Sequence, residues 1–364
     1  MTFSITGLGT ALPPFSLTCD QMAAFTTPLC CQTPAQAETL RMLFAHSGVQ
    51  RKHSALLEGE SVGNDVRQSF YLGTEGGRGP STGCRMQAYE ELAPPLALRA
   101  SHAALADAQV AASDVTHLVT VSCTGFTAPG IDMALMAGLN LRSTVERTHV
   151  GFMGCHGAIN GLRVAKGALA SEPDARVLIC AVELCTLHFY SGWDPEKIVA
   201  NALFADGAAA VVCGNSTETD PVTDTWRLAA VGTVRIPDSA AAMSWRVGDF
   251  GFEMGLSRRI PELIRRHLRG WVESWLDKQG LRIDEIASWA VHPGGPKILE
   301  AVDLALKLPV HALDQSRAVL ADCGNMSSPT VLFILDRMRR QNAPRPCVVL
   351  GFGPGMVVEA ALFV

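Results

Sequence analysis

The sequence predicts an α/β fold made of two similar halves, and three observations predict it. Amphipathic helical stretches alternate with short apolar strands, the pattern of buried sheets covered by helices. Two of these helix–strand units recur further along the chain at one shared offset. The 364 residues, 48% hydrophobic and 18% charged, supply a core large enough for two units.

Taken in order, the opening stretch Met1–Pro14 reads as a first strand running into a Gly/Pro turn. It lacks the basic start and long apolar run of a signal peptide. Glu58 to Gly83 is Gly-rich and polar and reads as a surface excursion. Pro94 to Ala108 is an amphipathic helix, and Asp114 to Val121 the strand it feeds. Ala158, Leu162, Ala165 and Leu169 mark one helical face, followed by the strand Arg176–Cys180. The polar run Gly214–Thr225 then separates a first half, residues 1–215, from a second, residues 225–364. In the second half Pro261 to Leu276 leads into Glu285–Val291. Val331, Leu335 and Met338 lead into Cys347–Leu350. Asp114 to Glu285 and Arg176 to Cys347 are each 171 positions apart. A duplicated α/β half implies a core with pseudo-twofold symmetry.

Composition narrows the partners. A net charge of −5 gives no reason to expect nucleic acid or an anionic membrane. No apolar run approaches the ~18 residues of a membrane span. The 11 cysteines form no CxxC pair, which points to reduced thiols of a cytoplasmic protein and away from structural zinc or any other metal site.

The same offset applied to Cys155 lands beside Asn325. Both are therefore expected at the N-termini of equivalent helices, where free N–H groups and the helix dipole favour a thiolate and a developing oxyanion. Cys155 lies in Gly151-Phe152-Met153-Gly154-Cys155-His156-Gly157. His292 ends a strand and enters the rigid turn Pro293-Gly294-Gly295-Pro296. Asn325 lies in Gly324-Asn325-Met326-Ser327-Ser328-Pro329. Singly, each has a plain structural reading: a small buried thiol, a structural histidine, a helix-capping asparagine. Together they make a nucleophile, an imidazole and an amide donor.

These stretches carry a family resemblance over nearly the whole chain. With Val121-Ser122-Cys123-Thr124-Gly125-Phe126, Ala128-Pro129-Gly130, Asn201 to Ala209, Gly251-Phe252 and Gly351-Phe352-Gly353-Pro354-Gly355, the sequence resembles the type III polyketide synthases of the chalcone/stilbene synthase superfamily, its bacterial members above all. The resemblance implies a thiolase-like fold, duplicated α/β halves in a layered αβαβα core. It implies Cys155, His292 and Asn325 as the catalytic triad, Phe204 as a gatekeeper and Phe252 as a second aromatic at the tunnel mouth. Cys123, Thr124, Cys185, His188 and Met243 fall where the family lines its cyclisation cavity, with Ser327 nearby and Gly353 in the scaffold beside the active site.

The same resemblance implies an acyl-CoA starter and malonyl-CoA as substrates, no cofactor, and a homodimer in which Ala128 holds the position of a loop residue that crosses into the partner's cavity. The family often binds coenzyme A phosphates with three basic residues on one helix. Here Arg41 remains, Glu38 stands at the first position, and Arg51, Lys52 or Lys297 are the substitutes. His188 replaces a small residue of plant members and is expected to narrow or polarise the pocket. His156 follows the nucleophile where plant members carry Phe. The arginines 258, 259, 265, 266 and 269 read as a solvated helix face or a surface for a phosphopantetheine carrier.

The implied chemistry is iterative. Cys155 takes the starter acyl group as a thioester. Paired with imidazolium His292 and a helix end, it is expected to have a lowered pKa. Malonyl-CoA loses CO2, and His292 and Asn325 hold the enolate, which attacks the acyl group. Repetition and ring closure give a pyrone- or resorcinol/phloroglucinol-type product. A single-round ketoacyl synthase fed by a carrier protein, and a non-catalytic acyl-binding subunit, are the competing readings.

Overall fold

The computed structural model describes residues 2–61, 63, 66–72, 78–216 and 226–364. β1 (Thr2–Ala11) opens the chain. A short ribbon of β2 (Ser16–Thr18) and β3 (Arg51–His53) follows, with α1 (Cys19–Cys30) and α2 (Pro34–Ala45) between its strands. The first half continues through α3 (Thr82–Ala108), β4 (His117–Ser122), α4 (Ile131–Leu139), β5 (Glu146–Gly151), α5 (Gly157–Ser171), β6 (Val177–Leu184), α6 (Pro195–Leu203) and β7 (Asp206–Ser216). The second comprises β8 (Trp226–Arg235), the hairpin β9 (Met243–Gly248) and β10 (Gly251–Leu256), α7 (Ile260–Asp277), β11 (Ser288–Val291), α8 (Pro296–Leu306), α9 (Asp314–Cys323), α10 (Thr330–Arg340), β12 (Cys347–Gly353) and β13 (Val357–Phe363).

Nine strands join in the order β11-β12-β13-β8-β1-β7-β6-β4-β5. From the centre outward, β1, β7 and β6 run antiparallel, then β4 joins β6 in parallel. The other side repeats this: β8, β13 and β12 antiparallel, then β11 parallel to β12. The halves meet where Ser4 and Ile5 pair with Arg227 and Trp226. Pairing register corrects one detail of the expected repeat. His117 and Ser288, 171 apart, pair with Val177 and Cys347, which are 170 apart.

Side chains of the central strands alternate between two apolar layers, as the period-2 geometry of a strand requires. Along β6, Val177, Ile179 and Ala181 enter a cluster shared with α5 and α10, whereas Leu178, Cys180 and Val182 pack with α3 and α4. Along β12, Cys347 and Val349 join the inner cluster, and Val348 and Leu350 face α7 and α8. Helices α5 and α10 are thus sandwiched between the two half-sheets, with α3/α4 and α7/α8 outside. A fourth cluster, from α1, α2 and α6, caps one end.

Three expectations need correction. α3 begins at Thr82, capped by Ser81 Oγ, and holds Pro94 and Pro95 in its interior. Proline normally marks a helix start; here the packing of Tyr89, Ala93, Leu96 and Ala97 carries the helix through. The stretch expected as a surface excursion buries Gln68 and Tyr71, and Tyr71 Oη donates to the Thr186 carbonyl at 2.7 Å. Arg258 and Arg259 precede α7 instead of lying on it, and Arg269 is engaged with Glu273. Residues 62, 64–65 and 73–77 of the excursion, and 217–225 of the boundary run, lie outside the described residues. Among the described residues no helix is long and apolar enough to cross a membrane.

Candidate active site

The nucleophile turn is built by backbone constraint. Leaving β5, the chain passes through Phe152 at φ +57° and Gly154 at φ +74°. A Cβ at Gly154 would also stand 2.2 Å from Pro354 Cδ, so this position takes glycine alone. The Gly154 N–H donates to Cys123 Sγ at 3.1 Å, tying the turn to the end of β4. Cys155 follows in a single helical turn, Gly154–His156, that feeds directly into α5, and it is buried.

Asn325 does not occupy the same place ahead of α10. It lies five residues before that helix, bridged to Phe204: its N–H donates to the Leu203 carbonyl and its carbonyl accepts from Ala205 N–H, both at 2.9 Å. The Ser327 N–H donates to Asn325 Oδ1 at 2.8 Å, which fixes the amide so that Nδ2 is the free donor. The side chains of Ser327 and Asn325 both act to lower the Cys155 pKa. His292 follows β11, with its N–H donating to the Leu350 carbonyl at 2.8 Å; it is 1% exposed and neither ring nitrogen has a partner.

Burial reverses the expected activation of the thiol. It pushes Cys155 up to about 12, with the Glu183 carboxylate adding to the rise and Ser327 and Asn325 opposing it. Burial also takes His292 down to about 3, helped by the neighbouring His156. Desolvation disfavours either charged form and outweighs the helix end, so the two groups rest as thiol and neutral imidazole.

Cys155 opens onto a cavity of about 390 Å³. Of the residues expected around it, Cys123, Thr124, Cys185, His188, Phe204, Met243, Phe252 and Ser327 line this cavity together with Cys155. Gly353 presses against the nucleophile turn from behind: a Cβ there would stand 2.4 Å from the His156 ring. The expected polarising role of His188 is not what the structure supports. Its Nε2–H donates to the Thr124 carbonyl at 2.7 Å and its Nδ1 accepts the Phe252 N–H at 2.9 Å. Both nitrogens serve the backbone, burial holds the ring neutral with a pKa of about 3, and what faces the cavity is an aromatic surface. That surface stacks on Phe252 at 4.1 Å and meets the Trp245 ring edge-on at 5.4 Å. Phe252 is itself buried among His188, Trp245, Phe126 and Phe152.

Of the expected coenzyme A residues, Arg41, Arg51 and Lys297 lie outside the cavity lining, and Lys52 lies on it. Arg41 is exposed and ion-paired with Glu38, Arg51 donates to Ser16 Oγ at 3.0 Å, and Lys297 is exposed at the start of α8. The cations on the lining are Lys52, Arg78 and Lys197. Lys52 is buried, donates to the Asn201 carbonyl at 2.7 Å, and has its pKa brought down to about 8 by burial.

Sequence reasoning missed two further residues. Trp245 lines the cavity and donates its Nε1–H to the Cys123 carbonyl at 2.7 Å. Glu183, fully buried at the end of β6, accepts hydrogen bonds from Ser122 Oγ, Cys123 N, Thr124 N, Thr124 Oγ1 and Ser328 Oγ. A lone carboxylate in the apolar run Val177–Leu184 was the available signal.

Comparison with known proteins agrees with this geometry. Family models described as chalcone and stilbene synthases match residues 3–217 with the N-terminal domain and 228–364 with the C-terminal domain. The 1,3,6,8-tetrahydroxynaphthalene synthase of Streptomyces peucetius subsp. caesius is 34% identical over 362 residues, 99% of this chain and 92% of that protein. The alpha-pyrone synthesis polyketide synthase-like Pks18 of Mycobacterium tuberculosis is 34% identical over 284 residues, 77% of this chain and 72% of its own. The crystal structure of PKS-I from the brown alga Ectocarpus siliculosus superposes with a TM-score of 0.92 at 27% identity, covering 100% of this chain and 98% of the other. With a thiolase-like duplicated fold, a buried cysteine lining the cavity and these relatives, the chain belongs to the chalcone and stilbene synthase family and is a type III polyketide synthase, an acyltransferase-type enzyme.

Proposed function

We propose that the enzyme loads an acyl-CoA starter onto Cys155, extends it by repeated decarboxylative Claisen condensation with malonyl-CoA, and releases a cyclised pyrone- or resorcinol/phloroglucinol-type product. The observation that carries the reading is the seating of Cys155, with Ser327 beside it, on one wall of the 390 Å³ cavity. His292 takes the thiol proton as Sγ attacks the starter carbonyl. After decarboxylation, the Asn325 amide and the His292 ring N–H stabilise the enolate oxygen. The chemistry draws on no redox or metal cofactor, because loss of CO2 itself generates the carbanion.

Residues 1–215 carry the nucleophile and residues 225–364 its two partners, so the site depends on both halves. Phe204 and the Phe252 cluster bound the cavity and keep water from the acyl thioester. Arg41, Arg51 and Lys297 remain the proposed contacts for coenzyme A, with exposure of all three in their support. The cytoplasm is the proposed location, supported by 11 free cysteines. A homodimer is supported by the exposed edge strand β5 and by exposed Phe126, Met133, Phe152 and Met153 beside it. Ala128, too small to shape a partner's pocket, would couple the two cavities weakly.

Intact-protein mass spectrometry after incubation with starter-CoA tests the central assignment. Wild type gains the acyl mass and Cys155→Ala does not, while release of labelled CO2 from carboxyl-labelled malonyl-CoA survives in part through His292 and Asn325. A stable acyl adduct on the alanine variant refutes Cys155 as nucleophile. Light scattering at working concentration tests the dimer.

A further inference from the structure

We propose that Lys52 and Gln68 are specificity-determining residues: as buried donors on a second cavity that adjoins the first, they hold carbonyl oxygens of the growing poly-β-ketone chain and so decide how it folds before ring closure. The inference deepens the extension chemistry proposed above and rests on it.

The second cavity has a volume of about 50 Å³, and Lys52, Thr186 and Phe189 line both it and the first. That volume is several times the ~10–15 Å³ one water requires, so the cavity admits the end of a chain. Leu17 of β2 and Met22 and Phe25 of α1 give it an apolar wall. A chain growing from Cys155 in the first cavity therefore meets, at the shared wall, an apolar annex with Lys52 at its entrance.

Several hydroxyls on the annex wall have already given their hydrogens. Thr186 Oγ1 donates to Asp206 Oδ2 at 2.6 Å, and Tyr71 Oη donates to the Thr186 carbonyl at 2.7 Å. With its own hydrogen committed, Thr186 Oγ1 accepts that of Ser54 Oγ, 2.7 Å away. Two nitrogens still have hydrogens to give. Gln68 Oε1 accepts the Tyr71 N–H at 3.1 Å, which fixes the amide and turns Nε2 into the open donor. That Nε2 is buried and has no partner among the described residues, and Gln68 as a whole is 6% exposed. Lys52 is 8% exposed and carries three N–H groups; among the described residues its one hydrogen bond goes to the Asn201 carbonyl at 2.7 Å. Buried donors without acceptors are few in folded proteins and call for an explanation. Both of these line one cavity, so a single ligand bearing acceptor oxygens explains them together.

Charge selects the kind of acceptor. Asp206 is buried and accepts from Ala55 N, Thr186 N and Thr186 Oγ1. Burial brings Lys52 down to about 8 and the Asp206 carboxylate opposes that fall, so the amine stays protonated at neutral pH with its charge already balanced. A carboxylate brought into the annex would be a second buried anion against one cation. A ketone oxygen accepts hydrogen bonds and adds no charge. Repeated Claisen condensation leaves one ketone at every second carbon, so the chain this enzyme builds matches the donors on offer. Two carbonyls held at two fixed points remove most of the freedom of a flexible chain, and what remains sets which carbon and which carbonyl come within reach of each other.

The test uses Lys52→Met and Gln68→Leu in the full chain, each close to the native side chain in size and without its N–H donors. One acyl-CoA starter that the wild type accepts is supplied with malonyl-CoA, and products are resolved by liquid chromatography and mass spectrometry. The ratio of the main cyclised product to shorter or differently closed products should fall at least about tenfold in Lys52→Met, as expected for the loss of a charged donor, and about threefold in Gln68→Leu. A ratio of products does not depend on how much enzyme is loaded. Loading is read separately, by intact-protein mass spectrometry of the Cys155 adduct, and in Gln68→Leu should match wild type. Lys52→Arg, which keeps charge and donors, should recover part of the ratio. Circular dichroism checks that each variant is folded; if Lys52→Met is not, Gln68→Leu decides alone. An unchanged ratio in the folded variants overturns the proposal, as it would if these donors served water only. Loading that falls as far as product formation in Gln68→Leu, at a constant ratio, marks a structural role and also overturns it. Absence of any acyl adduct on wild-type Cys155 would instead sink the reading of the nucleophile, a failure separable from the others.

Discussion

Glu183 offers the sharpest quantitative test of how the site is held. Its two carboxylate oxygens accept from five donors at 2.7–3.3 Å, two of them the backbone N–H groups of Cys123 and Thr124. Cys123 Sγ in turn receives the Gly154 N–H, so the carboxylate sets the position of the nucleophile turn through one intermediate residue. In Glu183→Gln an NH2 at Oε1 meets Ser328 Oγ, which can rotate to accept, but also the Cys123 N–H at 3.1 Å, which can share Oε2 instead. At Oε2 it would face the Thr124 N–H and hydroxyl. A hydrogen bond to a charged group is worth about 1.5–3 kcal/mol and a neutral one about 0.5–1.5, so four weakened bonds cost roughly 4 kcal/mol. Burying one charge fewer returns part of that. A net destabilisation of about 1–3 kcal/mol is expected. Glu183→Leu instead strands two buried N–H groups at about 1–3 kcal/mol each, for a loss near 4 kcal/mol. Urea unfolding followed by tryptophan fluorescence should rank wild type, Gln and Leu in that order, and kcat should fall more than KM rises. A leucine variant within about 1 kcal/mol of wild type would refute the carboxylate as the hub of the site.

Two more outcomes are expected. Free His188 takes up a proton near pH 6.5 and the folded residue only near pH 3. Between those values the unfolded chain holds more protons, so stability falls as pH falls through this window, by at most about 5 kcal/mol from this residue. His292 contributes with the same sign. Unfolding free energies of His188→Phe between pH 7 and pH 4 should therefore decline less steeply than those of wild type; parallel curves would show that His188 is not held neutral. Trp245→Ala should enlarge the 390 Å³ cavity and shift the products from one fixed starter toward higher mass. An unaltered product profile by liquid chromatography and mass spectrometry would remove Trp245 from the cavity wall.

The parts of the site that were legible in the sequence share a physical reason. A backbone that must turn sharply beside a substrate tolerates few residue types, so Gly154, Gly353 and the turns after His292 and around Asn325 stand out as runs of Gly, Pro and small residues. Strands buried on both faces become unbroken apolar runs, which is why Arg176–Cys180 and Cys347–Leu350 were recognisable. Glu183 broke such a run and went unread, because only the fold shows that five donors converge on it. Pro94 and Pro95 misplaced the start of α3 by 12 residues, since local propensity favours a helix start where tertiary packing holds a helix interior.

By itself the sequence determined the duplicated α/β plan and the glycine-bounded turn that carries Cys155, while part of the cavity wall was legible only through the family resemblance. The plan is written locally in periodicity, and the turn in its steric demands. Only the tertiary structure decided the protonation of Cys155 and His292 and the use of His188. Cys155 and His292 rest uncharged because both lie in a desolvated core that their flanking residues do not reveal. His188 became a wall because of what each of its nitrogens meets. Those partners come from distant strands and loops: Thr124 and Phe252 each lie 64 positions from His188. A hydrogen atom on a ring nitrogen is assigned by the group facing it, and which group faces it is a property of the fold.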